Sequence, residues 1–255
     1  MVVNPEIWQE AQWIDMHVHA DHYHDINLAV DQCKKHGILA WSCAMDVDSY
    51  ERSRTLLADA PQFFLTFGMH PWEVKNWDRD WETLTINLNK SPHIGEVGID
   101  YHWEQDRSFD TLQYEVFEFI VSHASKSGKW LNVHTKGAEK EVFEILNRYQ
   151  CQKVIIHWYS GPEQWFHKMA DLGCMFTFGV ELNRNEYLQM LFKKLPGELI
   201  LAETDGPGGM EWLTGKKGEP MDIISVYEAM SEIRKFDLDD LKMLLKKNAA
   251  KIFIS

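Results

Sequence analysis

The 255-residue chain has little cysteine and a deficit of positive charge. Its four cysteines, Cys33, Cys43, Cys151 and Cys174, form no CxxC pair. They are too few and too scattered for a disulfide framework or a structural zinc site, so reduced thiols buried as small hydrophobes in a cytoplasmic protein are expected. No run of about 18 apolar residues occurs. The opening MVVNPEIWQEAQW lacks a basic start followed by an apolar stretch, so neither a membrane span nor a secretory leader is expected. Lys and Arg number 26 against 39 Asp and Glu, a formal charge of −13. Such a surface repels polyanions, which excludes a generic DNA binder acting through a basic field. Hydrophobic content of 45% and charged content of 25% are ordinary for a globular protein. What stands out is 12 His and 11 Trp, a metal-ligand type and a broad apolar surface.

Short β-rich runs alternate with amphipathic segments along the whole chain, with no low-complexity linker. Strands are expected at 13–19, 38–44, 63–68, 94–99, 130–134, 154–157, 174–179 and 198–202, each followed by a helical stretch. The segment 109–128 has helical spacing at Leu112, Val116, Phe119, Ile120 and His123, and 136–150 continues the pattern. Two helices, 221–235 and 238–252, are expected after the last strand. Eight βα units in one chain of this length predict an α/β fold, a (β/α)8 TIM barrel formed as a single domain over residues 1–255. An open doubly wound sheet shares the same period.

In a barrel of this kind reactive residues belong at the carboxyl ends of the strands. The first strand ends Asp15-Met16-His17-Val18-His19, and residues two apart share a face, so both imidazoles can reach one ion. His70 follows the third strand, Glu96 lies on the fourth, His134 ends the fifth, His157 ends the sixth, and Glu203-Thr204-Asp205 follow the eighth. Ligand-type side chains at so many strand ends point to a metal site. They are too many for one catalytic zinc with three protein ligands, so two divalent ions are implied. Glu96 is placed as the bridge, with His17, His19 and Asp205 on one side and His134 and His157 on the other. Zinc, manganese, nickel and magnesium are all candidates, imidazole favouring the first three. Two ions about 3.5–4 Å apart hold a hydroxide between them, which makes the expected chemistry metal-assisted hydrolysis. Asp205 is the candidate base, and Glu203 is expected to orient a ligand.

The segments DMHVHAD, GMHPWE, GEVGIDY, NVHTKGA, IHWYSG and ETDGP, in order from residue 15 to about 207, resemble the motif set of the TatD family of metal-dependent deoxyribonucleases, within the amidohydrolase superfamily. The resemblance implies a (β/α)8 fold, two divalent ions and hydrolysis of DNA phosphodiesters, often as a 3′ to 5′ exonuclease. It assigns His17, His19, Glu96, His134, His157 and Asp205 as ligands. His70 matches the family's GxHP histidine, implying contact with the scissile phosphate, where an imidazole N–H would face an anion. One departure is Lys136, where the family usually has Arg; it keeps the charge and loses the bidentate grip on phosphate.

Further substrate contacts are expected from Lys136, Lys75 and a glycine-rich 206–220 segment, read as a mobile loop carrying Lys216 and Lys217. Trp72, Trp103 and Trp212, and more weakly Trp158, follow reactive residues closely enough to stack single-stranded bases. Trp8, Trp13, Trp41, Trp77, Trp81, Trp130 and Trp165 read as structural. The expected partner is DNA with a single-stranded or frayed 3′ end, with no membrane and an open place for other proteins of a repair or defence system. Two other readings remain: hydrolysis of a small cyclic amide, ester or lactone by the same metal site, and a weakly active metal-binding subunit of a nucleic-acid-processing or phage-defence assembly.

Overall fold

In the computed structural model, residues 3–254 are described. Helix α1 (Pro5–Glu10) precedes β1 (Trp13–Val18), and α2 (Ile26–His36), β2 (Ile38–Cys43), α3 (Val47–Leu56) and β3 (Phe63–Thr66) follow. Then come α4 (Trp81–Lys90), β4 (Ile94–Asp100), α5 (Asp110–Ser127), β5 (Leu131–Lys136), α6 (Glu139–Arg148) and β6 (Val154–Ile156). The chain ends with α7 (Glu163–Leu172), β7 (Met175–Phe178), α8 (Glu186–Lys194), β8 (Ile200–Ala202), α9 (Gly208–Thr214), α10 (Asp222–Arg234) and α11 (Leu238–Phe253). All eight expected strands are present with ends shifted by two residues or fewer, the fifth running on past His134 to Lys136.

Two expectations differ in detail, and one short helix is additional. The segment expected to be a loop at 206–220 contains α9, so three helices rather than two follow the last strand. The short α1 precedes the first strand. On α5 the buried stripe runs through Leu112, Val116, Phe117, Ile120 and Val121. Phe119 and His123 are only partly buried.

Local signals account for the helix boundaries. Asp25, Asp80, Asn185 and Asp237 each cap a helix by accepting a backbone N–H from its first turn. Gly37, Gly128 and Gly173 end α2, α5 and α7 in the left-handed conformation that suits glycine. Every residue of β1, β2, β4, β6, β7 and β8 is buried, as expected for parallel strands covered on both faces.

Contacts divide the chain into two compact units. One comprises Met1–Ser42, Arg52–Phe64 and Phe176–Ser255, the other Cys43–Glu51 and Leu65–Met175. In the first, β1 pairs in parallel with β2, and β7 with β8. Its core includes an aromatic cluster of Trp41, Phe64 and Phe253, with ring centroids 5.1–6.0 Å apart. The buried Tyr227 hydroxyl accepts from the Ile14 N–H and donates to the Ile14 carbonyl, tying α10 to β1.

In the second unit β4 pairs in parallel with β5, and β5 with β6. Two glycines let backbones meet there. A Cβ on Gly68 would overlap the Glu96 carbonyl oxygen, and one on Gly98 would overlap that of His134. Backbone, not a flexible side chain, stands in the way at both positions. Gly98→Ala is expected to cost about 1–3 kcal/mol or more through overpacking, read as a Tm lowered by several degrees. An unchanged Tm would contradict this packing.

Candidate metal centre

Within the first unit, β1 carries His17 to its end and His19 just beyond it. The chain leaving β8 then pairs back onto this stretch. The Asp205 N–H donates to the His17 carbonyl at 3.0 Å, and the His19 N–H donates to the Gly206 carbonyl at 2.8 Å. Buried Asp15 holds the intervening turn, accepting the Thr204 N–H at 3.0 Å and the Thr204 hydroxyl at 2.6 Å. Burial pushes the Asp15 carboxyl up to about 7, against the lowering effect of those hydrogen bonds. Asp205 adopts φ 49°, a conformation uncommon outside glycine, and it faces the two imidazoles. Its Oδ1 lies 3.7 Å from His17 Nε2 and 3.5 Å from His19 Nε2, which are themselves 3.3 Å apart. Glu203 is fully buried, its N–H bonded to the Phe178 carbonyl.

The second unit gathers the other predicted ligands around Glu96, which is 1% exposed. The Glu96 N–H donates to the Ala44 carbonyl and the His157 N–H to that of Val133, each at 3.0 Å, so backbone pairing positions both side chains. Glu96 Oε1 lies 2.8 Å from His157 Nε2, 3.2 Å from His134 Nδ1 and 3.3 Å from His70 Nε2. His134 Nδ1 and His157 Nε2 are 3.3 Å apart.

With metal bonds of about 2.0–2.1 Å, the donors of a tetrahedral ion lie roughly 3.3–3.4 Å from one another. The spacings in both groups fall around that value. The donor chemistry fits as well: imidazoles and carboxylates, buried or nearly so, with the outer nitrogen of His134 meeting the carboxylate of Asp100 at 3.0 Å. Metal-bound histidines commonly make such an outer bond, which leaves the inner nitrogen as the ligand. Burial alone would lower the His134 pKa. The hydrogen bonds and charges of Asp100 and Glu96 overcome it and raise the imidazole to about 9. His134 and the backbone N–H groups of Trp103 and His102 hold the Asp100 carboxyl well below the usual range, against the opposing effect of burial. Anionic surroundings that retain a proton this strongly also favour a cation.

His70 is buried, and its Nδ1 accepts the Trp72 N–H at 3.2 Å. That bond requires a lone pair on Nδ1 and so places the proton of the neutral ring on Nε2. Trp72 is 37% exposed and Trp103 50% exposed, and both are tied to Asp100. Lys136 donates to the Ser160 hydroxyl at 2.6 Å. Lys75 is ion-paired with Glu104 at 2.7 Å.

Trp212 is 59% exposed and sits on α9. Lys216 and Lys217 line an open surface cavity with Glu219, Asp222 and Glu228, and none of the predicted ligands lines it. Trp158 is partly buried with φ 38° beside His157. The four cysteines are buried and unbridged, as expected. Among the described residues no helix is long and apolar enough to cross a membrane. The residues missed from sequence are Asp15 and Asp100. Asp15 stood inside a quoted motif without a role. Asp100 shares the strand face of Glu96 through the period of two, which was the available signal.

A βα repeat with imidazoles and carboxylates at its strand ends defines the class of metal-dependent hydrolases. The family model for TatD related DNase matches residues 14–254, and the chain belongs to this family. It is 24% identical over 253 residues to an uncharacterised metal-dependent hydrolase of Methanocaldococcus jannaschii, spanning 96% of this chain and 98% of the relative. Identity to the human deoxyribonuclease TATDN3 is 23% over 259 residues, 94% of each chain. Among solved structures, the TatD homologue YjjV of Escherichia coli superposes with a TM-score of 0.87 at 20% identity, covering 96% of this chain and 99% of that one. A TatD family hydrolase from Entamoeba histolytica gives 0.79 at 16% identity, covering 95% and 98%. The likeness shows the fold, the (β/α)8 class predicted from the strand count.

Stripping the protein with a chelator and restoring zinc or manganese at about 100 times its dissociation constant is expected to raise stability by about 2.7 kcal/mol per site. The rise should be visible in Tm and diminished in Glu96→Gln. Equal Tm with and without ions would contradict the assignment.

Proposed function

We propose that the chain is a divalent-metal deoxyribonuclease, acting as one hydrolase domain on single-stranded or frayed 3′ ends of DNA. The reading calls for two divalent ions, zinc, manganese, magnesium or nickel, with His17, His19 and Asp205 holding one and Glu96, His134 and His157 the other. The observation that carries it is the donor spacing in both ligand groups, 3.3–3.7 Å in one and 2.8–3.3 Å in the other.

When bound, such ions activate water and offset the charge that gathers on a phosphate. The protein's part is positioning and proton handling. Asp205, more accessible than the neighbouring Asp15 and Glu203, takes the proton from water. Buried Glu203 serves as an orienting group. His70, with its proton set on Nε2 by the Trp72 backbone, donates to a phosphate oxygen where charge develops.

Lys136, held by Ser160, meets an adjoining phosphate as a single point charge. The exposed faces of Trp72 and Trp103 offer stacking platforms, worth about 1–3 kcal/mol per base. Trp212, Lys216 and Lys217 serve as outer contacts for the strand. The buried thiols suit a reducing compartment, and we place the protein in the cytoplasm.

The test is hydrolysis of 3′-labelled single-stranded DNA by metal-stripped protein restored with each ion in turn. Asp205→Asn should lose activity by about a hundredfold or more, as befits loss of a base, with its metal-free Tm retained. Lys136→Ala should raise KM with a smaller effect on kcat. Turnover of a lactone or cyclic amide panel with no action on DNA under any ion would overturn the reading.

A further inference from the structure

Asp100 ends β4 and is fully buried. Its two oxygens have different duties. Oδ1 accepts the backbone N–H groups of His102 and Trp103, at 2.8 and 2.7 Å, and so shapes the turn that presents Trp103. Oδ2 is shared by two side chains, the Trp72 indole N–H at 2.8 Å and the His134 imidazole Nε2 at 3.0 Å. The indole also packs edgewise on His70 with centroids 4.7 Å apart, and lies 6.1 Å from the His134 ring. One carboxylate oxygen therefore sets both a half-exposed aromatic face and an imidazole in the Glu96 group.

We propose that Asp100 is a positioning residue that couples the Trp72 platform to His134, so that loading of the Glu96 ligand group with a divalent cation and seating of a base on Trp72 influence each other. The inference rests on the metal-dependent nuclease reading above and extends it to residues outside the ligand set. A cation drawing on His134 Nδ1 makes the opposite N–H a stronger donor. That N–H then claims more of the shared oxygen, and the indole N–H is held less tightly. Linkage makes the effect reciprocal: whatever fixes the indole changes the affinity of the imidazole for the cation by the same factor.

Asp100→Asn separates the duties. An amide keeps an oxygen for the two backbone donors, while its NH2 faces the indole and imidazole N–H groups, donor against donor. The probe is Mn²⁺ titrated into metal-stripped full-length protein, followed by calorimetry and by tryptophan emission. The Trp72 signal is the difference between wild type and Trp72→Phe. In wild type, Mn²⁺ is expected to change the Trp72 emission. Asp100→Asn should weaken one Mn²⁺ affinity by about 10–100-fold, as for other carboxylates behind metal-bound histidines, and abolish the emission change. Asp100→Glu, which keeps a carboxylate, should recover part of that affinity relative to Asn.

Asp100→Asn binding Mn²⁺ as wild type would overturn the proposal. So would a Trp72→Phe protein whose Mn²⁺-induced emission change equals that of wild type, a measurement that stands even where an Asp100 variant fails to fold. Failure to cut DNA with these Mn²⁺ responses intact would sink the nuclease reading and leave the coupling standing.

Discussion

A carboxylate taken out of water costs several kcal/mol unless positive charge or strong donors meet it. Glu96 is nearly inaccessible, and three imidazoles lie within 3.3 Å of its Oε1. Much of the surrounding backbone is arranged around that requirement. Gly68 and Gly98 allow neighbouring backbones to come against Glu96 and His134. Parallel pairing of β4 with β5, and of β5 with β6, sets His134 and His157 at matching heights on adjacent strands. Asp100 fixes the far side of the His134 ring, so the near nitrogen has one direction to face.

The other ligand group meets the same demand with fewer charges. Two imidazoles reach one carboxylate because the chain after β8 pairs with the end of β1. A second carboxylate, Asp15, is used for architecture rather than for binding: it accepts from Thr204 and holds Asp205 in its left-handed conformation. Carboxylates of one kind thus serve two ends, decided by what each can reach. This local economy of charge also bears on the overall −13. The acidic groups in these clusters face imidazoles, so an ion seated among them answers a local need that the net charge does not reveal.

The sequence was most legible where strand periodicity and a polar strand end coincided. His17 with His19, His134, His157 and Asp205 stand near or just beyond the carboxyl ends of strands read from apolar runs, and Glu96 lies within one. Roles set by partners distant along the chain were not legible. Lys75 read as a substrate contact and is ion-paired with Glu104. The 206–220 segment read as a loop because of its glycines, yet Gly208 and Gly209 lie inside α9, where burial of Gly209 outweighs the poor helix propensity. Phe119 matched the helical stripe of α5 by spacing, but Phe117 faces inward instead, because an apolar stripe wider than one row leaves the rotation of the helix to its neighbours.

By itself the sequence determined the class of fold, the count of βα units, and which imidazoles and carboxylates stand near strand ends and in what order along the chain. These follow from local periodicity and from which side chains can bind a cation, and both are properties of short segments. Only the tertiary structure decided which nitrogen of each histidine is turned inward, that Asp100 serves two aromatic partners, and that Asp15 holds a turn. Hydrogen bonds of that kind join residues tens to nearly two hundred positions apart. Their geometry is set by how strands register against one another, which no local pattern encodes.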